Sequence, residues 1–256
     1  MSNDNSARKL RVSTWKSVQL VVVGVLFVAS CVYALIWRAS PDLLARSPRA
    51  TLPHMPAVAP HSPRAAGSEA ACYEGLSARG VTFQTVPKSE APGVAWPIKL
   101  TSAVDGVLIH GVKSDAPTNY LDCRLALALL AWAPSLRERG VVGLEHYSAY
   151  RRDAVVAGTT SPSGHAIGSA IDVGLFEMRD GRKLSVLEDW TNRARGKDPC
   201  QEFPTDDEAA RTMRKLVCDA YQHELFQRVI TPHYNDAHKN HVHLEVAPKS
   251  EGAWIG

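Results

Sequence analysis

Polar and apolar positions alternate most regularly in two stretches of this chain, and both stretches put their chemistry on one face. Gly168 to Phe176 alternates small or polar residues with apolar ones. As a strand it sets Ala170, Asp172 and Gly174 on one face and Ile171, Val173 and Leu175 on the other. Asp172 then projects between two small neighbours that leave room for an ion. His241 to Val246 alternates in the same way, with His241, His243 and Glu245 on one side and Val242, Leu244 and Val246 against the core. If these strands pair with their polar faces on the same side, Asp172 meets His243. His165, seven residues before Asp172, can return from the preceding turn.

The rest of the chain divides by pattern. Residues 1–16 form a basic head carrying Arg8, Lys9, Arg11 and Lys16. Ser17 to Trp37 is an uncharged, mostly apolar run long enough to cross a bilayer once. The positive head predicts an inner-membrane, single-pass protein with its C-terminal domain in the periplasm. Val28-Ala-Ser-Cys31 resembles a lipoprotein cleavage box, but the apolar stretch runs on past Cys31, which favours an uncleaved anchor. Residues 38–71, rich in Pro, Ala and Arg and without periodicity, read as a semi-extended tether. Residues 72–250 match one domain in size, and 251–256 read as a tail.

Within that domain, Leu121 to Ala133 predicts a buried helix stopped by Pro134, and Val141 to Tyr150 a strand. Thr205-Asp-Asp-Glu208 predicts a capping-box start for a helix with apolar positions at Ala209, Met213, Leu216, Val217 and Ala220. Strands and helices mix without regular βαβ alternation, so the expected class is α+β. The expected form is a small antiparallel sheet carrying a zinc site, flanked by helices. No internal repeat, phosphate-cradling glycine loop or Gly-x-Ser-x-Gly elbow is present.

A net charge of +3 and a pI near 8.6 are too weak to argue for nucleic-acid binding. Four cysteines follow the apolar run, Cys72, Cys123, Cys200 and Cys218, and an exported even set allows two disulfides in three connectivities. No Cys-x-x-Cys pair exists to hold zinc. His165, Asp172 and His243 instead supply three ligands and leave one coordination position open, which a hydrolytic zinc enzyme needs. His146, His223 and His233 read as solvated or core histidines. A structural zinc site without activity is the competing reading of the cluster, and an ion pair the competing reading of Arg151.

These residues also carry a resemblance. Ser163-x-His165-x-x-Gly168-x-Ala170-x-Asp172, with the later His241-x-His243, resembles the zinc peptidases of bacterial cell walls, the D-Ala-D-Ala metallopeptidase and lysostaphin group. That resemblance implies zinc on His165, Asp172 and His243, with His241 beside the attacking water. Ser148-Ala-Tyr150-Arg151 is similar to the Ser-Gly-Tyr-Arg segment of the D,D-carboxypeptidase branch, whose Arg holds a substrate carboxylate or carbonyl. His238 stands where several members carry a Glu base. The closing His238-x-x-His241-x-His243 resembles that of the penicillin-insensitive murein endopeptidases, which brings His238 into the candidate catalytic set.

From Cys72 to Pro248 the chain further resembles the bacterial extensin-like C-terminal domain. The match runs through Cys72-x3-Leu76-x3-Gly80-Val-x-Phe83, the Cys123-led Ala/Leu helix, Asp180 to Trp190, and the closing histidines with Leu244-Glu245. Tyr150 stands where relatives commonly carry Cys before the Arg. The favoured disulfides are Cys72 with Cys123 and Cys200 with Cys218. Together the resemblances imply a zinc-dependent peptidase acting on peptidoglycan stem peptides, as D,D-endopeptidase or carboxypeptidase. The alternative is a noncatalytic cell-wall-binding domain that keeps the fold.

Overall fold

The computed structural model describes residues 67–191, 193–201, 203–247 and 252–256. The expected head, the apolar run 17–37 and nearly all of the tether lie outside these residues. Among the described residues no helix is long and apolar enough to cross a membrane.

The domain is of mixed α+β class. Helix α1 (Glu69–Ser77) opens it, and its first three residues lie in the stretch read as tether. Strands β1 (Phe83–Thr85), β2 (Pro97–Leu100) and β4 (Leu121–Asp122) form a small antiparallel sheet. The main sheet has seven strands. Its order is β10 (Trp254–Ile255), β8 (Arg228–Ile230), β9 (Val242–Glu245), β6 (Ala170–Met178), β5 (Val141–His146) and β3 (Leu108–Gly111), with β7 (Lys183–Ser185) also on β6. The expectation of a small antiparallel sheet is therefore corrected. β3 pairs parallel with β5 and β10 parallel with β8. Trp254 and Ile255, read as tail, are a strand of the sheet.

One sheet face is covered by helices α2 (Cys123–Glu138) and α4 (Glu208–Gln222), with the single turn α3 (Val186–Asp189) beside them. Trp132 of α2 sits fully buried at this junction, edge-on to Phe176 at 6.2 Å and to Phe226 at 5.8 Å. Its indole N–H donates to the Leu216 carbonyl of α4 at 3.1 Å, so the ring joins both helices to the sheet. Both disulfides have the favoured pairing. Cys72–Cys123 ties α1 to the start of α2, and Cys200–Cys218 ties the 190–206 segment to α4.

Three local expectations change. The helix does not stop at Pro134 but runs to Glu138. Proline removes only one backbone donor there, while buried Leu136 and the hydrogen bonds of Ser135 and Arg139 to Asp219 hold the last turn against α4. The cap of α4 is Asp207, whose side chain accepts from the Ala210 amide at 2.8 Å. Asp206 is withdrawn to bind buried Arg214 at 2.7 Å, which moves the start two residues beyond Thr205. The alternation of β6 also switches phase, so that Phe176 rather than Leu175 faces the core. The register against β5 shifts between Glu145↔Leu175 and His146↔Val173, leaving Gly174 as the extra residue of a bulge.

Trp132→Ala is expected to lower unfolding free energy by about 3–5 kcal/mol in denaturant titration, because it empties the point where two helices meet the sheet. A loss under about 1 kcal/mol would show that this junction does not hold the layers together.

Candidate metal centre

The face of β6 and β9 turned away from α2 and α4 carries the polar residues. In the antiparallel pairing Ile171↔Leu244, Asp172↔His243 and Val173↔Val242, Asp172 lies directly opposite His243. Ile171, Val173, Val242 and Leu244 are all buried in the core behind them. His165 arrives on a 3₁₀ turn, Gly164–Ile167, begun by the Ser163 side chain, which accepts from the His165 amide. Gly168 closes the turn at φ 65, a left-handed conformation that suits glycine. A Cβ there would also lie 3.0 Å from the Asp122 amide, which donates to the Gly168 carbonyl.

Three donor atoms converge. His165 Nε2 lies 3.0 Å from Asp172 Oδ1 and 3.1 Å from His243 Nδ1, and His243 Nδ1 lies 3.0 Å from the same Oδ1. All three residues are buried. The outer ring nitrogens decide what the inner ones can do. His165 Nδ1 faces the Ala149 carbonyl at 3.1 Å, and His243 Nε2 faces the Glu245 carboxylate at 3.1 Å. Both partners only accept, so both outer nitrogens carry protons, and each ring in its neutral form turns a bare lone pair inward. Two lone pairs and a carboxylate at such distances need a positive charge between them, whether a proton or a metal ion.

The donor set fits zinc. Ligands about 2.0–2.1 Å from a tetrahedral ion stand about 3.3–3.4 Å apart, a few tenths of an ångström from the separations here. Histidine ligands held through their second nitrogen by a carbonyl or a carboxylate are the usual arrangement around such ions.

The electrostatics agree. Burial pushes Asp172 up, but hydrogen bonds with His165 and His243 outweigh it and hold the carboxyl well below the usual carboxylate range. Burial pushes His243 down, yet its bonds to Asp172 and Glu245 raise it above an ordinary imidazole. Glu245 is itself braced by Arg228 at 2.8 Å, and burial is again outweighed, by His243 and Arg228, so that it stays ionised.

The other candidates surround this cluster. His241 Nε2 lies 3.5 Å from Asp172 Oδ1, and its Nδ1 pairs with Asn240 Oδ1 at 2.9 Å. Burial lowers its pKa, so the ring is neutral. Tyr147 packs edge-on against it at 6.1 Å, and the Tyr147 ring occupies the space any side chain at Gly174 would need. His238 donates Nδ1–H to Asn235 Oδ1 at 2.6 Å, since that oxygen also accepts the His238 amide. Its Nε2 is therefore a bare acceptor, and burial pushes its pKa down to about 4. Arg151, half exposed, stands 3.7 Å from Asp172 Oδ2, and Ser148 Oγ 3.4 Å from the same atom. His241, His238, Asn235 and Arg151 line a cleft of about 620 Å³ that opens onto the cluster.

Histidines read as bland are varied. His233 is buried between Arg214 and the Ala194 carbonyl, and His223 is exposed. His146 is buried with no hydrogen-bond partner at Nδ1 among the described residues, and burial pushes it down to about 4. Tyr150 is buried and donates to the Pro92 carbonyl at 3.0 Å. The bracing by Arg228 and Asn235 and the packing of Tyr147 were not anticipated. The Asn235 cap three residues before His238 was a readable signal, whereas nothing in the pattern marked β8 or the Tyr147 bulge.

Gly164 offers a test of the His243 brace, because a Cβ there would lie 2.7 Å from Glu245 Cδ. Gly164→Ala is expected to displace the carboxylate and weaken zinc binding, measured by competition with a chelator, by about 10- to 100-fold. Unchanged affinity in a folded variant would show that Glu245 does not position His243.

The family model described as Extensin-like protein C-terminus matches residues 70–255, nearly the whole described domain. No curated protein and no solved structure matches the chain.

Proposed function

The chain belongs to the extensin-like C-terminal family, and from that premise and the buried cluster we propose that it is a zinc-dependent peptidase of peptidoglycan, of D,D-endopeptidase or carboxypeptidase type. Its domain would work in the periplasm, held at the inner membrane by residues 17–37. The observation that carries the reading is the inward aim of both imidazole lone pairs onto Asp172, each enforced by an acceptor behind the ring. The resemblance of the same residues to the cell-wall metallopeptidases adds the substrate class, stem peptides.

His165, Asp172 and His243 would hold the ion, with Ala149 and Glu245 keeping the rings oriented. When bound, zinc would supply Lewis acidity, polarising the scissile carbonyl and acidifying the attacking water. His241, neutral and beside Asp172, accepts the proton from that water and returns it to the leaving amine. His238, whose Nε2 is also bare, shares this task or steadies the charge that develops on the carbonyl oxygen. Arg151 keeps donors free at the cleft, because its contact with Asp172 is long, and its planar fork suits a stem-peptide carboxylate or carbonyl.

Asp172→Ala should abolish retention of stoichiometric zinc, read by metal analysis of purified protein. Full occupancy in that variant would overturn the ligand set. His241→Ala should keep zinc yet lose hydrolysis of purified wall sacculi by about 10²- to 10⁴-fold, the scale of a general acid–base group. Wild-type protein that carries zinc, sediments with sacculi and releases no new amine or carboxyl termini would make the domain a wall-binding module instead.

The anchor has its own check. A reporter fused after Gly256 should be active only if it is a type that requires export. Activity of a reporter that works only in the cytoplasm would refute the periplasmic placement.

A further inference from the structure

Large apolar side chains left open to solvent are not scattered evenly over this domain. Of the ten among the described residues, four, Val155, Val156, Tyr234 and Trp254, line the cleft that opens onto the cluster. Such clustering in a concave site marks a binding surface. Tyr234 and Trp254 are 49% and 45% exposed, and their rings meet edge to face at 5.6 Å. From them a row of rings leads inward, Tyr234 to His238 at 5.8 Å and His238 to His241 at 5.1 Å. The exposed pair thus stands at the outer end of the cleft wall whose inner end is the proposed proton acceptor.

Both rings ride on fixed backbone. Trp254 belongs to β10, where its amide donates to Gln227, the Gly256 amide donates to Val229, and the Thr231 amide donates to Gly256. The Trp254 ring lies against Gly256, where any side chain would collide with it. Tyr234 is held in a turn by its amide bond to the Thr231 carbonyl at 3.0 Å. Rings presented this way lose little freedom when a ligand covers them.

The surroundings decide what covers them. Ser163, Asn235 and Arg228 line the same cleft, so flat apolar faces stand beside hydrogen-bonding groups. A pyranose has that dual character, with C–H groups on its faces and hydroxyl and amide groups around its edge. We propose that Tyr234 and Trp254 form a sugar-stacking subsite, which takes an N-acetylated pyranose ring of the glycan bearing the stem peptide. The proposal rests on the peptidoglycan reading and deepens it, since the substrate is then a glycan-attached peptide rather than a free one.

The test uses the full, zinc-loaded chain with two substrates, one cross-linked stem peptide bare and the same peptide carrying its N-acetylated disaccharide. Trp254→Ala and Tyr234→Ala should each lower kcat/KM about tenfold on the sugar-bearing substrate, the scale of covering roughly 60 Å² of apolar surface. Trp254→Ala should stay within about twofold of wild type on the bare peptide, with zinc content unchanged, and Trp254→Phe should keep most of the activity. Equal losses on both substrates, a larger loss on the bare peptide, or no loss on either would overturn the subsite. If wild type cuts neither substrate, the peptidase reading fails and sugar binding is read directly. The free disaccharide should then give a saturable shift of the Trp254 indole N–H in NMR, absent in Trp254→Ala, and the lack of such a shift would overturn the proposal.

Discussion

Asp172 and His243 face one another across β6 and β9, and the chemistry of the cleft depends on the register that sets them there. Strand side chains repeat every two residues, so a slip of β9 by one would turn His243 into the core and Val242 and Leu244 toward the cleft, and a slip of β6 would exchange Asp172 with Ile171 and Val173 in the same way. Each large apolar side chain so exposed would cost about 1.5–3 kcal/mol, and each unpaired polar one buried would cost more. The register that aims the donors is thus enforced by side chains on the opposite face, which take no part in the chemistry. Burial of Val229 in β8 extends the same enforcement one strand further, and it places Arg228 opposite Glu245.

Convergence of a carboxylate with two imidazoles is costly unless something offsets it. Each ring is anchored from behind, His165 by a carbonyl of the 147–150 segment and His243 by the ion pair of Glu245 with Arg228. Without these acceptors a ring could turn its N–H inward and satisfy Asp172 by itself. With them, both lone pairs point at the carboxylate, and the cluster is left with an appetite for a cation. The raised pKa of His243 expresses that appetite as a proton. A metal ion would answer it without asking any ring to rotate.

Much of this was legible in the chain and some was not, for physical reasons. The alternation around His243 could be read because β9 is covered on its core side by an unbroken set of Val242, Leu244 and Val246, which gives period two its meaning. The mixed class and the two long helices were legible from their own apolar spacing, though each begins later than expected, and the favoured pairing of the cysteines is the one present. Illegible features were those decided by tertiary contacts. Pro134 does not end its helix because Asp219 of another helix holds the turn beyond it. Thr205 does not cap because Arg214 claims its neighbour Asp206. The edge strand β10 has only two residues and β3 shows no alternation of burial, so the parallel pairs at both ends of the sheet left no trace in the pattern. At the site, His165, Asp172, His238, His241, His243 and Arg151 all came from sequence motifs and do meet at one cleft. Of the groups that hold them, Asn235 had a capping signal, while Arg228 and Tyr147 carry no motif because their roles are set by where other strands end.

Gly174 shows how such a hidden constraint reaches the chemistry. Opposite it the register of β5 and β6 slips, and the absence of a side chain lets the Tyr147 ring lie over the bulge. From there Tyr147 meets His241 edge-on, and the His238 ring packs against His241 as well. His241 therefore has two aromatic neighbours, with one nitrogen engaged by Asn240 and the other turned toward Asp172. A residue so placed cannot rotate freely to join the cluster as a fourth ligand, since the same packing that orients it also limits its approach. The bulge thus separates His241 from His243, two residues apart on one strand face, into a neighbour of the proposed ion and a ligand for it.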